Sequence, residues 1–153
     1  AALQQDIDAI WVYYAWAGIS TKQAGLETNM FYFKDITPEF DYYSPVIVSN
    51  TDWLKDNPDV AKAFLRATKK GYEYAINDPD SAAEILVEQV PELSIELVKE
   101  SQEWLSPQYE AEVEQWGYID QTRWDAFYKW LYDNGLSDEI PAGYGFTNEY
   151  LPE

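Results

Sequence analysis

IDAIWVYY, residues 7–14, mixes β-branched and aromatic side chains with a single charge, Asp8. Such a run predicts a strand covered on both faces, as parallel sheets require. It continues through Ala15, Trp16 and Ala17 to Gly18, so a buried strand ends in rings and then a glycine. In open α/β sheets, ligands sit beyond the carboxyl ends of strands. Rings placed there can stack on a flat ligand at low entropic cost, although filling core space is their commoner use.

Working outward, NMFYF (29–33) and SPVIVS (44–49) read as two more short strands, with Pro45 near a start where a missing donor is tolerated. Residues 34–43, KDITPEFDYY, read as a connector. Tyr42 and Tyr43 enter the third strand from it. Either their hydroxyls point into a cleft or their rings pack a strand edge on a helix.

From residue 51 the pattern is helical. Thr51–Asp56 predicts a short helix or turn. Asn57-Pro58 opens a long helix, and Val60, Phe64, Thr68, Tyr72 and Ile76 recur every four residues as its apolar face, beside Leu65 and Ala75. Asp78-Pro79 opens a helix to about Val90, with Ala82, Ala83, Leu86 and Val90 inward. Ser94 caps the next, with Leu93 and Val98 as a hydrophobic staple, ending at Trp104-Leu105 before Pro107. A weaker helix is predicted over 108–116. Asp120 caps the last, with a stripe of Trp124, Phe127, Tyr128 and Leu131, and Gly135 at its end. Residues 137–153 read as loop. Three strands do not make a stable parallel sheet if both faces must be covered, so the chain reads as part of something larger.

Composition narrows the chemistry. The 153 residues hold 28 acidic and 10 basic side chains, a formal charge of −18, and neither Cys nor His. That excludes a thiolate nucleophile, an imidazole base, a disulfide and a soft-metal site. The charge opposes phosphate polymers, so no nucleic-acid partner is expected. The longest apolar run, Ala9–Ile19, falls short of the roughly 20 residues of a membrane helix. The opening AALQQDID lacks a secretion signal, which leaves room for a leader removed earlier. With 46% hydrophobic and 17% aromatic residues, disorder is not expected. Asp6 with Asp8, and Glu110, Glu112 and Glu114, match no cation loop and read as solvated carboxylates. Trp104, Trp124 and Trp130 lie on amphipathic helices and read as core. No catalytic residue, metal ligand or cofactor is expected.

The order of DIDAIWVYYAWAGI (6–19), DYYSPVIVSN (41–50), NPDVAKAFLRATKKGYEYAINDPDSAAEIL (57–86), WGYIDQTRW (116–124) and FTNEYLP (146–152) resembles the C-terminal half of ABC-importer substrate-binding proteins. Among these it is similar to the proteins that bind the pyrimidine precursor of thiamine, related to fungal thiamine-pyrimidine synthases. The resemblance implies an α/β, type II periplasmic-binding-protein-like fold, here an incomplete fragment rich in helices with a few parallel strands. Residues 1–35 would end the second lobe, 36–43 form the hinge crossover, and 44–153 complete the C-terminal part of the first lobe. It implies a non-enzymatic, extracytoplasmic protein, periplasmic or a cell-surface lipoprotein, with a small heteroaromatic ligand and a membrane ABC permease as partners. Tyr13, Tyr14 and Trp16 from one rim, and Tyr42 and Tyr43 from the other side of the hinge, would hold the ligand. Relatives often carry an acidic residue where Ala17 stands, which removes one polar contact here. A pyrimidine synthase, a flavin-binding importer protein and a helical interaction module stay open as alternatives, as does self-association of the fragment through open strand edges.

Overall fold

A computed structural model describes residues 8–110 and 113–152. Its elements are six α-helices: α1 (Ile19–Gln23), α2 (Thr51–Asp56), α3 (Pro58–Asn77), α4 (Pro79–Gln89), α5 (Ile95–Leu105) and α6 (Gln121–Asp133). A π-helical turn, Tyr14–Gly18, leads into α1, and short 3₁₀ turns occupy Phe33–Asp35, Pro38–Phe40 and Ser106–Gln108.

Helix starts follow local chemistry. Asn50, Asp78, Ser94 and Asp120 each accept a backbone N–H of the first turn, from Asp52 and Trp53, Ser81, Leu97 and Arg123 respectively. Each satisfies donors that a helix end leaves orphaned. At the end of α6 the Gly135 N–H donates to the Tyr132 carbonyl and that of Leu136 to Leu131. Gly135 has φ +69°, a region glycine enters without the cost a Cβ would bring.

The chain divides into two compact units. In the first, residues 8–30 and 72–110, α4 packs on α5, and α1 with its π-helical turn packs on α5. Ile19, Ala83 and Val98 are its most deeply buried apolar side chains. Val98 being buried agrees with its expected staple position. In the second, residues 31–71 and 113–152, Phe33, Phe40 and Trp130 form a run of edge-to-face rings, with centroids 6.0 and 4.8 Å apart. Trp116 is buried there. The irregular tail is tied down by side chains. Asn148 accepts the Ile119 N–H at 3.0 Å and donates to the Ile119 carbonyl at 2.9 Å. Gln115 Nε2 donates to the Pro152 carbonyl, and Trp124 Nε1 to that of Tyr144.

Four expectations need correction. No strand forms among the described residues: 8–13, 29–32 and 44–49 carry no ladder, and Tyr14 enters the π-helical turn. The run 7–14 has its first residue outside the described ones. The physical reason is pairing, since an extended run becomes a strand only beside another, and among the described residues none of these runs pairs with a neighbour. The helix expected over 108–116 is absent from its described residues, which pass from a 3₁₀ turn into bends, while 111 and 112 lie outside them. Helix α3 buries Ala61 and partly covers Leu65, Thr68, Tyr72 and Ile76, but leaves Val60 and Phe64 55% and 57% exposed. Leu86, expected inward on α4, is exposed, and Ala83 takes the packed position.

Candidate functional site

In the first unit the sequence places four rings within six residues, Trp11, Tyr13, Tyr14 and Trp16. The N–H groups of Trp16, Ala17 and Gly18 all converge on the Tyr13 carbonyl, at 3.2, 3.0 and 3.5 Å. This tight turn throws successive side chains to different sides. Tyr13 and Trp16 are 58% and 42% exposed, and Trp11 lies against Tyr13 with ring centroids 5.3 Å apart. Tyr14 turns the other way and packs on Trp104 of α5, at 5.1 Å and 49°.

Gly18 makes that placement available. A Cβ there would lie 2.6 Å from Cδ2 of Tyr14, closer than carbon atoms approach. Tyr14 and Gly18 line an open hollow of about 640 Å³, together with Lys22, Leu26, Glu27, Thr28, Asn29 and Met30. Its volume lies in the range of small-molecule sites. Glu100 holds Lys22 at its edge, with Nζ–Oε1 2.8 Å, and also accepts from Gln23 Nε2. The hydrogen bond and charge of Glu100 raise the Lys22 pKa, and those from Lys22 and Gln23 lower that of Glu100. Ala17 offers its carbonyl to the Thr21 hydroxyl at 2.6 Å.

The second unit holds the other two rings. Tyr42 stacks on Phe127 of α6 at 4.3 Å and 22°. The Tyr43 hydroxyl accepts the Asp120 N–H at 2.9 Å, and the Arg123 guanidinium lies 4.5 Å from its ring centroid. Arg123 pairs with the Asp41 carboxylate at 2.8 Å and donates through Nε to the Asp41 carbonyl. Asp41-Tyr42-Tyr43 is thereby fastened to the first turn of α6. Between Tyr42, Tyr43, Trp124, Phe127 and Tyr128 remains a hollow of about 30 Å³, room for a water and not for a heteroaromatic ring.

The structure thus brings Tyr13, Tyr14 and Trp16 together in one unit and Tyr42 with Tyr43 in the other. Sequence reasoning missed the partners Trp104, Phe127 and Arg123. Only Arg123 carried a signal, one of few cations, three residues after a capping aspartate. Among the described residues no group of three or more acidic side chains is placed to hold a metal ion. Asp6 and Glu112, read above as solvated carboxylates, lie outside them. No described helix is long and apolar enough to cross a membrane.

A family model described as NMT1/THI5 like matches residues 1–82, more than half of the chain and all five candidate rings. The formylaminopyrimidine-binding protein of Halalkalibacterium halodurans is 31% identical over 98 residues, covering 61% of this chain and 29% of the relative. The riboflavin-binding protein RibY of Chloroflexus aurantiacus is 24% identical over 165 residues, covering 99% of this chain and 45% of the relative. The chain therefore spans less than half the length of either curated relative. Both relatives are named as binding proteins, and the fold of the matched family is periplasmic-binding-protein-like.

Proposed function

Since the chain belongs to the NMT1/THI5-like family, we propose that it is the C-terminal part of an extracytoplasmic solute-binding component of an ABC importer, and that its ligand is a small flat heteroaromatic nutrient resembling the thiamine pyrimidine precursor. The observation that carries this reading is the overlap of the family match with exposed rings at the turn around Tyr13 and Trp16. Free ring faces at a backbone turn suit stacking on a planar guest.

In this reading residues 1–35 close the second lobe, 36–43 carry the hinge, and 44–153 complete the first lobe, with parallel strands formed once their neighbours are present. Tyr13, Tyr14 and Trp16 serve one wall and Tyr42 and Tyr43 the other. Each stacking pair contributes about 0.5–1.5 kcal/mol beyond area burial. Micromolar binding needs about 8 kcal/mol, so both walls must enclose the ligand. Closure about the hinge would form the surface read by a permease. The protein is not an enzyme in this reading: binding and release need no bond to be made. The charge of −18 disfavours anionic ligands at long range.

A flavin is the second reading, favoured by the match to the riboflavin-binding relative along 99% of the chain. One titration separates the two. A longer protein that carries this chain is titrated with a formylaminopyrimidine and with riboflavin, followed by tryptophan fluorescence. The pyrimidine is expected to bind more tightly, and Tyr13→Ala and Trp16→Ala each to weaken binding several-fold to about tenfold. Affinity for neither compound, or affinity untouched by both substitutions, would sink the reading.

A further inference from the structure

We propose that Tyr43 is a hydrogen-bond donor that reads an acceptor nitrogen on the edge of the ligand's ring, with Arg123 as the positioning residue that holds it in that role; this rests on the reading of the chain as part of a protein that binds a flat heteroaromatic compound. The Tyr43 oxygen lies 2.9 Å from the Asp120 nitrogen. A backbone N–H only donates, so the phenol oxygen is the acceptor in that bond. Its own hydrogen then leaves in another direction. Among the described residues no group accepts that hydrogen. The bond lies at the exposed surface of the second unit, where a ligand atom can reach it.

Both partners of Tyr43 are themselves held. Asp120 stands just before α6, and its carboxylate accepts the Arg123 N–H at 2.9 Å. The N–H of Asp120 has no acceptor within the helix, and Tyr43 supplies one. The Arg123 guanidinium pairs with the Asp41 carboxylate at 2.8 Å, donates through Nε to the Asp41 carbonyl, and lies 4.5 Å from the Tyr43 ring centroid. A planar guanidinium with donors in fixed directions grips both residues at once, which the point charge of a lysine does not. The Tyr43 ring is therefore fixed at its hydroxyl by Asp120 and at its face by Arg123.

The same contacts disfavour stacking at this wall. Arg123 takes one face of Tyr43, and Phe127 takes one face of Tyr42, at 4.3 Å and 22°. Both tyrosines are half-buried, and the hollow they share with Trp124, Phe127 and Tyr128 has only about 30 Å³. What remains on offer is an edge, and the group whose direction the contacts fix on that edge is the Tyr43 hydroxyl. A fixed donor discriminates between rings of equal shape, because a ring nitrogen accepts from it and a ring C–H does not.

The test uses a longer protein that carries this chain. It is titrated by calorimetry with an aminopyrimidine and with the aminobenzene of the same substitution, in which C–H replaces each ring nitrogen. The unaltered protein should prefer the aminopyrimidine. Tyr43→Phe should weaken aminopyrimidine binding about five- to tenfold, the scale of one hydrogen bond, and move aminobenzene binding less than about twofold. Arg123→Gln alone should weaken aminopyrimidine binding about threefold or more, but less than about twofold on top of Tyr43→Phe, because it acts through that hydroxyl. Should Arg123→Gln not fold, Asp41→Asn releases the guanidinium and is read in the same way. Four results would each overturn this proposal and leave the broader reading in place: no preference in the unaltered protein, equal losses for both compounds in Tyr43→Phe, no loss for either, or an Arg123→Gln loss undiminished beside Tyr43→Phe. Failure of the unaltered protein to bind either compound would overturn both.

Discussion

Gly18 carries its role through absence. Its backbone is ordinary right-handed helix, φ −62° and ψ −49°, so conformation does not require glycine. Space does, because the Tyr14 ring occupies the volume of a Cβ. Gly18→Ala should push that ring off Trp104 and cost about 1–3 kcal/mol, as overpacking typically does. Near-UV circular dichroism and chemical unfolding report it, and an unchanged aromatic signal with unchanged stability would show the ring moves freely. Tyr43 sits under comparable constraint from a hydrogen bond and a guanidinium. Trp104 was not legible as a partner of these rings and Arg123 only hinted at a role beside its capping aspartate, since both are distant in sequence from the rings they meet. The rings themselves were legible from their crowding at 11–16 and 42–43.

The helices are stabilised at their ends by short-range chemistry. The Ser94 hydroxyl accepts the Leu97 N–H at 3.2 Å and donates to Glu96 at 2.8 Å. Ser94→Ala should cost about 1 kcal/mol in thermal or denaturant unfolding, and no change would mean that water replaces the cap without loss. The Asp78 carboxylate is held below its usual pKa by the backbone N–H and side chain of Ser81. Its own backbone N–H and the Ser94 hydroxyl hold that of Glu96 down as well. A carboxylate depressed in the folded state contributes stability that is complete above its unfolded pKa, about 4, and is lost as pH falls through the lower folded value. The melting temperature should therefore drop as pH falls below the usual carboxylate range. Asp78→Asn keeps a capping oxygen without the charge and should flatten that drop; an identical pH profile would remove Asp78 from its causes.

At the scale of the molecule, burial is sparse for the amount of apolar sequence. Strand-like runs and the Val60–Phe64 side of α3 meet solvent instead of a second layer. If the cleft needs both walls in full, the 153-residue chain titrated with an aminopyrimidine should release little heat. A longer protein that carries it should bind in the micromolar range or tighter. Tight binding by the short chain would mean that a single wall suffices. The sequence by itself determined the starts of α2 to α6, the Gly135 terminus, the tail as loop and the positions of the rings, because caps, prolines and helical periodicity act over a few residues. It also carried the family, through the order of its segments. Tertiary structure decided which side of α3 is covered, whether β-branched runs become strands, and which rings are fastened to helices. Those outcomes depend on neighbours far along the chain, and a strand or a buried face exists only where a partner supplies its hydrogen bonds and contacts.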